Sequence, residues 1–395
     1  MKNSADVIIV GGGAMGSAAA WHLARKGQKV IVFDQFKPPH KFGSTHGDTR
    51  ITRQAIGENK ACTPLSLRSY ELWRELESLT GVDLLTITGG LMMTSYSTGS
   101  EMHGNRDFLQ ETIDAAEMYG IKYSLFNTEE IRKEFPQFNL IGDEQGYYEP
   151  MAGFLRPENC IRAQTGLAMM LGAVVHSDEE VTAVKPLSGP RGVIVETKTG
   201  HYAADKVIVS AGAWVSRFLE KKYSGLFKVY RQVMYWFGVK DSIEPYTIGN
   251  FPIFIWISRN DFVYGFPAID GPNGGVKIAG EQKSLTADPD TVNREVSPLE
   301  INTMYEDHIR QAFPGLTSEC IKTVPCLYTV TPDSQFIIDF HPEHPQIIVA
   351  SPCSGHGFKH SAAIGEVLAE LATDGKSRID ISSFAFSRFF NTTTA

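Results

Sequence analysis

The sequence predicts an α/β chain in which a parallel-sheet domain is interleaved with an α+β domain built on a mainly antiparallel sheet. Three observations point to it. The chain opens on a β-α-β unit with a glycine-rich turn, the same buried-strand pattern returns near residues 206 and 346, and a β-branched, aromatic tract fills residues 229–282.

The first unit is the clearest. Val7 to Val10, in Asp6-Val7-Ile8-Ile9-Val10, is a continuous apolar run suited to a parallel strand buried on both faces. Gly11-Gly12-Gly13-Ala14-Met15-Gly16 forms the turn, Ser17–Lys26 a helix stopped by Gly27, and Lys29–Phe33 a second strand ending at Asp34. Glycines at 11, 13 and 16 permit a tight turn, close approach to a pyrophosphate and close helix–strand packing, with helix N–H groups facing the anion. Asp34, about twenty residues on, can accept from a ribose hydroxyl. Strand, turn, helix, strand and acid in order read as a Rossmann-like dinucleotide site, which by itself suits NAD or FAD.

Helices follow at Pro64–Thr80, 107–119 and from Thr128, with short strands in Gly81–Ser95. Glu158–Leu171 reads as a helix, and Val174 to Tyr202 as a strand meander. Lys206–Trp214 resumes the first domain, and turns such as Arg259-Asn260-Asp261 punctuate the antiparallel tract. Pro298–Phe313 is an expected helix, Gln346–Ala350 a buried strand, and Ala362–Leu371 a final helix ahead of Gly375. The expected division gives 1–85, 150–225 and 320–395 to the dinucleotide domain, and 86–149 with 226–319 to a substrate domain.

Composition narrows the function. The 395 residues carry 37 Lys and Arg against 45 Asp and Glu, a net charge of −8 that disfavours nucleic acid as a partner. Five scattered cysteines without CxxC spacing suit neither a disulfide framework nor zinc. No leader and no apolar run near the ~20 residues of a membrane span is visible, so a cytoplasmic protein without membrane association is expected. His341 and His344 flank Pro342, which breaks any helix there, and no metal site is expected.

Four constellations could carry chemistry. Gly43–Arg53 presents Arg50 and Arg53 on a small-residue loop that includes Ser44 and His46; it suits carboxylate or phosphate, or a solvated surface. Ser354-Gly355-His356-Gly357-Phe358-Lys359, between a strand and a helix, lets backbone approach a flat ring, or is a simple turn. Cys326 has no local base or second thiol and by itself reads as a small buried hydrophobe. Alternation after Tyr264-Gly265-Phe266-Pro267 puts Lys277, Ala279 and Glu281 on one strand face, where spacing alone suggests a surface ion pair.

Taken together, Val10–Gly16, Pro38-Pro39-His40, Gly43–Arg53, Tyr264–Pro267, Asp288–Thr291, Phe336–Asp339 and Ser354–Lys359 resemble the monomeric sarcosine oxidase and N-methyltryptophan oxidase family of FAD-dependent amine oxidases. The resemblance implies an FAD-binding Rossmann-like domain and a thioether from Cys326 to the flavin 8α carbon. It implies that Arg53 and Lys359 bind the substrate carboxylate, that Lys277 activates oxygen, and that Arg50 and His46 lie beside the ring. Tyr264 and Tyr328 match residues lining the substrate cavity, with Ser44, Gly355 and Gly357 on the cofactor side. The expected reaction oxidises a secondary amine of an N-alkylated, sarcosine-like amino acid, with O2 going to hydrogen peroxide, in a monomer.

Two positions depart from the sarcosine oxidase pattern: Glu281 stands where a histidine is usual and Ile56 where a tyrosine is. An acid four residues after the lysine is similar to fructosyl amino acid oxidases. Oxidation of Amadori adducts or cyclic imino acids is therefore the rival within the class, and a non-catalytic flavoprotein the rival outside it.

Overall fold

A computed structural model of the chain describes residues 3–95, 102, 107–187, 192–258 and 261–390; the turn expected at Arg259 and Asn260 lies outside them. Two eight-stranded sheets carry the architecture. In the first, five parallel strands stand in the order Val174–His176, Val30–Phe33, Ser4–Val10, His201–Val209, His344–Ser351. Val193–Thr197 and Val181–Pro186 continue it antiparallel from residues 201–204, and Ile337–His341 pairs antiparallel with His344–Ser351.

The continuous apolar runs read in the sequence are buried on both faces, as parallel strands under two layers require. Val7 and Ile9 pack with Trp21, Trp73, Ile364 and Leu368 on the helical side, while Ile8 and Val10 pack with Phe33, Val195 and Val349 on the other. Helix Ala14–Arg25 begins three residues before the expected start, because its first turn is built from the glycine-rich segment itself. It crosses helix Ser361–Asp374 closely: a Cβ on Gly365 would lie 2.3 Å from Ala18 Cβ.

The second sheet runs Leu316–Val330, Lys228–Val239, Val276–Gly280, Asp261–Gly265, Ile253–Ser258, Gly90–Ser95, Glu144–Glu149, Ser124–Asn127, antiparallel apart from the pair 253–258 and 90–95. Strand Leu316–Val330 pairs along its length with Lys228–Val239, so residues 320–330 belong to this sheet by hydrogen bonding. Period-two alternation divides its residues: Tyr235, Phe237, Phe254 and Trp256 fill an outer core, while Met234, Trp236, Ala279, Cys326 and Tyr328 face the other way. The expected helix Pro298–Phe313 is an α-helix only over Pro298–Met304, then widens into a π-turn in which Arg310 N–H bonds to Tyr305 O. A small sheet of Arg50–Thr52, Gly153–Leu155 and Leu85–Ile87 fixes the arginine loop between the two large ones. No helix among the described residues is long and apolar enough to cross a membrane.

The Gly365 contact has a measurable consequence. Gly365→Ala forces the two helices apart and should lower stability by about 1–3 kcal/mol, read as a reduced urea midpoint with unchanged m.

Candidate active site

The first β-α-β unit opens onto a long cavity enclosing about 1330 Å³, mouth included, whose lining contains Gly11, Gly13, Asp34, Ser44, Gly355 and Gly357. Gly16 lies just behind it, where a Cβ would fall 1.8 Å from Gly11 O. Helix Ala14–Arg25 points its first turn at this space with no side-chain cap, leaving N–H groups available to an anion. A Cβ on Gly13 would meet only Thr45 Oγ1, at 4.0 Å, so backbone can approach a ligand there. The residues fit a dinucleotide. Asp34 also braces the turn while lining the cavity, since its carboxylate accepts from Gly12 N (2.8 Å) and Phe36 N (2.9 Å).

A second cavity, about 530 Å³ with its mouth, adjoins the first and shares Arg50, Tyr328, Gly355 and Phe358 with it. Arg53, Lys359, Tyr264 and Glu281 line it too. Eight positions spread over more than 300 residues therefore converge on one space. The Tyr264 and Tyr328 hydroxyls are 3.2 Å apart, and burial pushes both phenols above their ordinary range. Glu281 lies past the end of strand Val276–Gly280, its side chain 5% exposed, with Lys283 at 3.5 Å. Alternation stops with the strand, so Glu281 lines this cavity and Lys277 lines neither.

The cavity's lining includes a buried ion cluster. Arg53, 0% exposed, donates to Glu58 Oε2 and Ala55 O. Its Nε is buried without a hydrogen-bond partner. Lys359 donates to His356 O at 2.8 Å and stands 3.6 Å from Glu58 Oε1; burial pulls its pKa down to about 8 against the pull of Glu58. Glu149, wholly buried, accepts from Gln54 N (2.6 Å) and Ala55 N (3.1 Å), fixing the backbone next to Arg53. Arg53 and Lys359 face the Glu58 carboxylate directly, with Glu149 on the adjoining backbone, and an Arg53 N–H left open is a group that could donate to a further carboxylate.

The Gly43–Arg50 loop gathers the remaining cations. Arg50 donates to Ser44 O (2.7 Å) and Thr49 O (2.9 Å). Buried Lys277 donates to Gly47 O (2.7 Å), Thr49 O (2.8 Å) and Thr49 Oγ1 (3.1 Å), with its Nζ over the rings of Phe266 and Trp236. Burial and Arg50 push the Lys277 pKa well below the usual lysine range. The loop docks on the second sheet through Ser44 Oγ to Leu327 O and His46 Nε2 to Pro325 O (3.0 Å). Burial and Arg50 pull the His46 pKa down to about 3, so its imidazole is neutral. Cys326 sits between those two carbonyls, 1% exposed, its thiol pKa raised by burial and pulled back by Arg50 and Lys277.

Sequence reading missed Glu58, whose Ala-Ile-Gly setting gives no periodic signal, and Cys353, which lines the first cavity from the strand-to-glycine turn. It also missed the apolar wall of the second cavity, Ile51, Met102, Ile255 and Phe262, drawn from separate elements. His341 and His344 both face Glu220, at 2.8 and 3.5 Å. Among the described residues no group of three or more such side chains could hold a metal.

Comparison with known proteins shows the family. A match to the FAD dependent oxidoreductase family spans residues 6–371. A monomeric sarcosine oxidase of Streptomyces avermitilis is 39% identical over 388 residues, 97% of each chain. Another, from Bacillus sp. (strain B-0618), is 41% identical over 392 residues, 98% of this chain and 97% of that one. The fold is similar to the open form of NikD, an unusual amino acid oxidase essential for nikkomycin biosynthesis, with TM-score 0.80, 23% identity and 97% of both chains covered.

The ion cluster predicts its own stability test. Glu58→Gln leaves Arg53 and Lys359 buried without their counter-charge and should cost about 3–5 kcal/mol in urea unfolding. A loss below about 1 kcal/mol would mean that the carboxylate is not their main partner.

Proposed function

This chain belongs to the FAD dependent oxidoreductase family, and on that premise we propose that it is an oxygen-dependent oxidase of N-alkylated amino acids, N-methyl and sarcosine-like in the first instance. The observation that carries the proposal is the buried Arg53–Lys359 pair in the lining of a cavity that shares Arg50, Tyr328, Gly355 and Phe358 with the first cavity. An amino acid anchored there by its carboxylate presents its nitrogen and N-alkyl carbon toward the shared wall of Arg50, Tyr328, Gly355 and Phe358.

FAD, when bound, supplies the two-electron acceptor that takes a hydride equivalent from the carbon beside nitrogen and passes the electrons to O2. The substrate loses two electrons and two protons to become an imine, O2 gains the same to become hydrogen peroxide, and water splits the imine into aldehyde and primary amine. In this chain Arg53 and Lys359 bind and orient the carboxylate. Ile51, Met102, Ile255 and Phe262 keep water from the reacting carbon. Arg50, in the wall shared by the two cavities, would place positive charge where electron transfer builds negative charge, with Lys277 bonded to the same Thr49 carbonyl. The Gly11–Gly16 turn, Asp34, Ser44, Gly355 and Gly357 would hold the cofactor, with neutral His46 bracing the loop beside it.

We further propose that Cys326 carries the flavin. A bond from Sγ to the 8α carbon would release two electrons and two protons, which O2 would accept; Arg50 and Lys277 would favour the thiolate against the burial that raises the thiol pKa. The first sheet is taken as the cofactor domain and the second as the substrate domain, in a cytoplasmic monomer. Glu281 favours a second reading: a carboxylate on the amine side of the cavity can hold the hydroxyls of an Amadori adduct or the ring ammonium of a cyclic imino acid.

Purified yellow protein assayed for peroxide should respond to sarcosine and N-methyl amino acids above fructosyl amino acids, pipecolate and proline. The reverse order selects the second reading, and no peroxide from any of them refutes the oxidase. Acid-precipitated protein should keep its colour and lose it in Cys326→Ser. The Lys359 pKa, depressed to about 8, also sets a pH dependence. Its charge is present below about pH 8 and lost above, so KM should rise about tenfold between roughly pH 8 and 9.5 with kcat little changed; Lys359→Arg should flatten that rise.

A further inference from the structure

We propose that Glu158 is a positioning residue for the oxygen-side lysine, acting through the Gly47–Thr49 turn. Lys277 holds its place by donating to carbonyls and one hydroxyl of that turn, not to a carboxylate. Thr49 O accepts from Arg50 as well, so the aim of two cations depends on how one short turn is set.

The turn is set from its other side. Glu158 Oε1 accepts from Gly47 N at 2.6 Å and from Asp48 N at 3.3 Å. Gly47 and Asp48 thus present N–H to the glutamate, Gly47 and Thr49 present C=O to the lysine, and Thr49 N closes the turn on Gly47 O at 2.8 Å. Gly47 and Asp48 have φ of +97° and +68°, the left-handed region, which is uncommon for a non-glycine residue although aspartate tolerates it better than most. The Asp48 side chain is already taken by Lys322, at 2.5 Å. Glu158 is itself well anchored: it stands in the first turn of helix Pro157–Met170, next to the proline that starts the helix, where a carboxylate also suits the helix dipole. The charged and titratable groups facing Lys277 are Arg50, Asp48, Cys326, Glu158 and His46. Of these, Glu158 is the one that bonds the backbone carrying the lysine's acceptors.

The inference rests on reading Lys277 as the oxygen-side cation, and the test separates the two. Flavin-loaded enzyme is reduced anaerobically with stoichiometric dithionite, mixed with oxygenated buffer, and followed by flavin absorbance from about pH 6 to pH 10. Lys277→Met serves as the reference. Glu158→Ala and Glu158→Asp, which remove or withdraw the acceptor, should slow reoxidation about tenfold or more and move its pH midpoint. Glu158→Gln keeps an oxygen within reach of both N–H groups and should stay within about threefold of the parent. If Lys277→Met reoxidises normally, the reading of the lysine falls and the inference with it. If Lys277→Met is slow while Glu158→Ala and Glu158→Asp match the parent, only the inference falls. Slowing in Glu158→Gln as large as in Glu158→Ala would also overturn it, since the missing property would then be charge. Should Glu158→Ala fail to hold flavin, Glu158→Asp and Glu158→Gln carry the comparison.

Discussion

The site depends on the burial of positive charge between two sheets. Lys277 and Arg50 stand in the seam where the second sheet meets the Gly43–Arg50 loop, and neither is taken out of water without acceptors. The acceptors are mainly backbone carbonyls, which neutralise nothing and so leave the positive field intact. A direct carboxylate would cancel it. On the proposed oxidase reading, charge that is held but not cancelled would stabilise negative charge developing nearby.

The second cavity solves a related problem differently. Arg53 and Lys359 share an internal carboxylate, Glu58, so the cluster is stable in itself yet keeps a net positive charge and an open N–H on Arg53. Glu149 holds Gln54 and Ala55 from behind, which keeps the Arg53 backbone from following its side chain. The rest of the lining is apolar, apart from the Tyr264–Tyr328 pair, Glu281 and His356. Arg50, Arg53 and Lys359 line this cavity together with Glu281, while Lys277 is bonded to the Gly47–Thr49 turn outside the lining.

Legibility followed the range of the interaction. The Gly11–Gly16 turn and its flanking strands are local, and period and glycine spacing read them within a few residues. Arg50, Arg53 and Lys359 stood out because charges in glycine-rich loops beside buried strands are unusual neighbours. Lys277 and Glu281 were read onto one face by alternation, but the strand ends at Gly280, so one turned to the loop and the other to the cavity. Glu58 and Glu158 gave no signal, since each matters only for partners brought to it by other elements.

By itself the sequence determined the first nucleotide-binding unit, the interleaving of two sheets and the residue types available for an amine oxidation. Those follow from backbone sterics and hydrophobic period, which act over a few residues. Tertiary structure alone decided which charges share a cavity, which carboxylate answers which cation, and that the Lys277 ammonium rests on carbonyls. The physical reason is that electrostatic and hydrogen-bond partners are chosen by distance in space, and strand register, here the pairing of 228–239 with both 276–280 and 316–330, sets that distance.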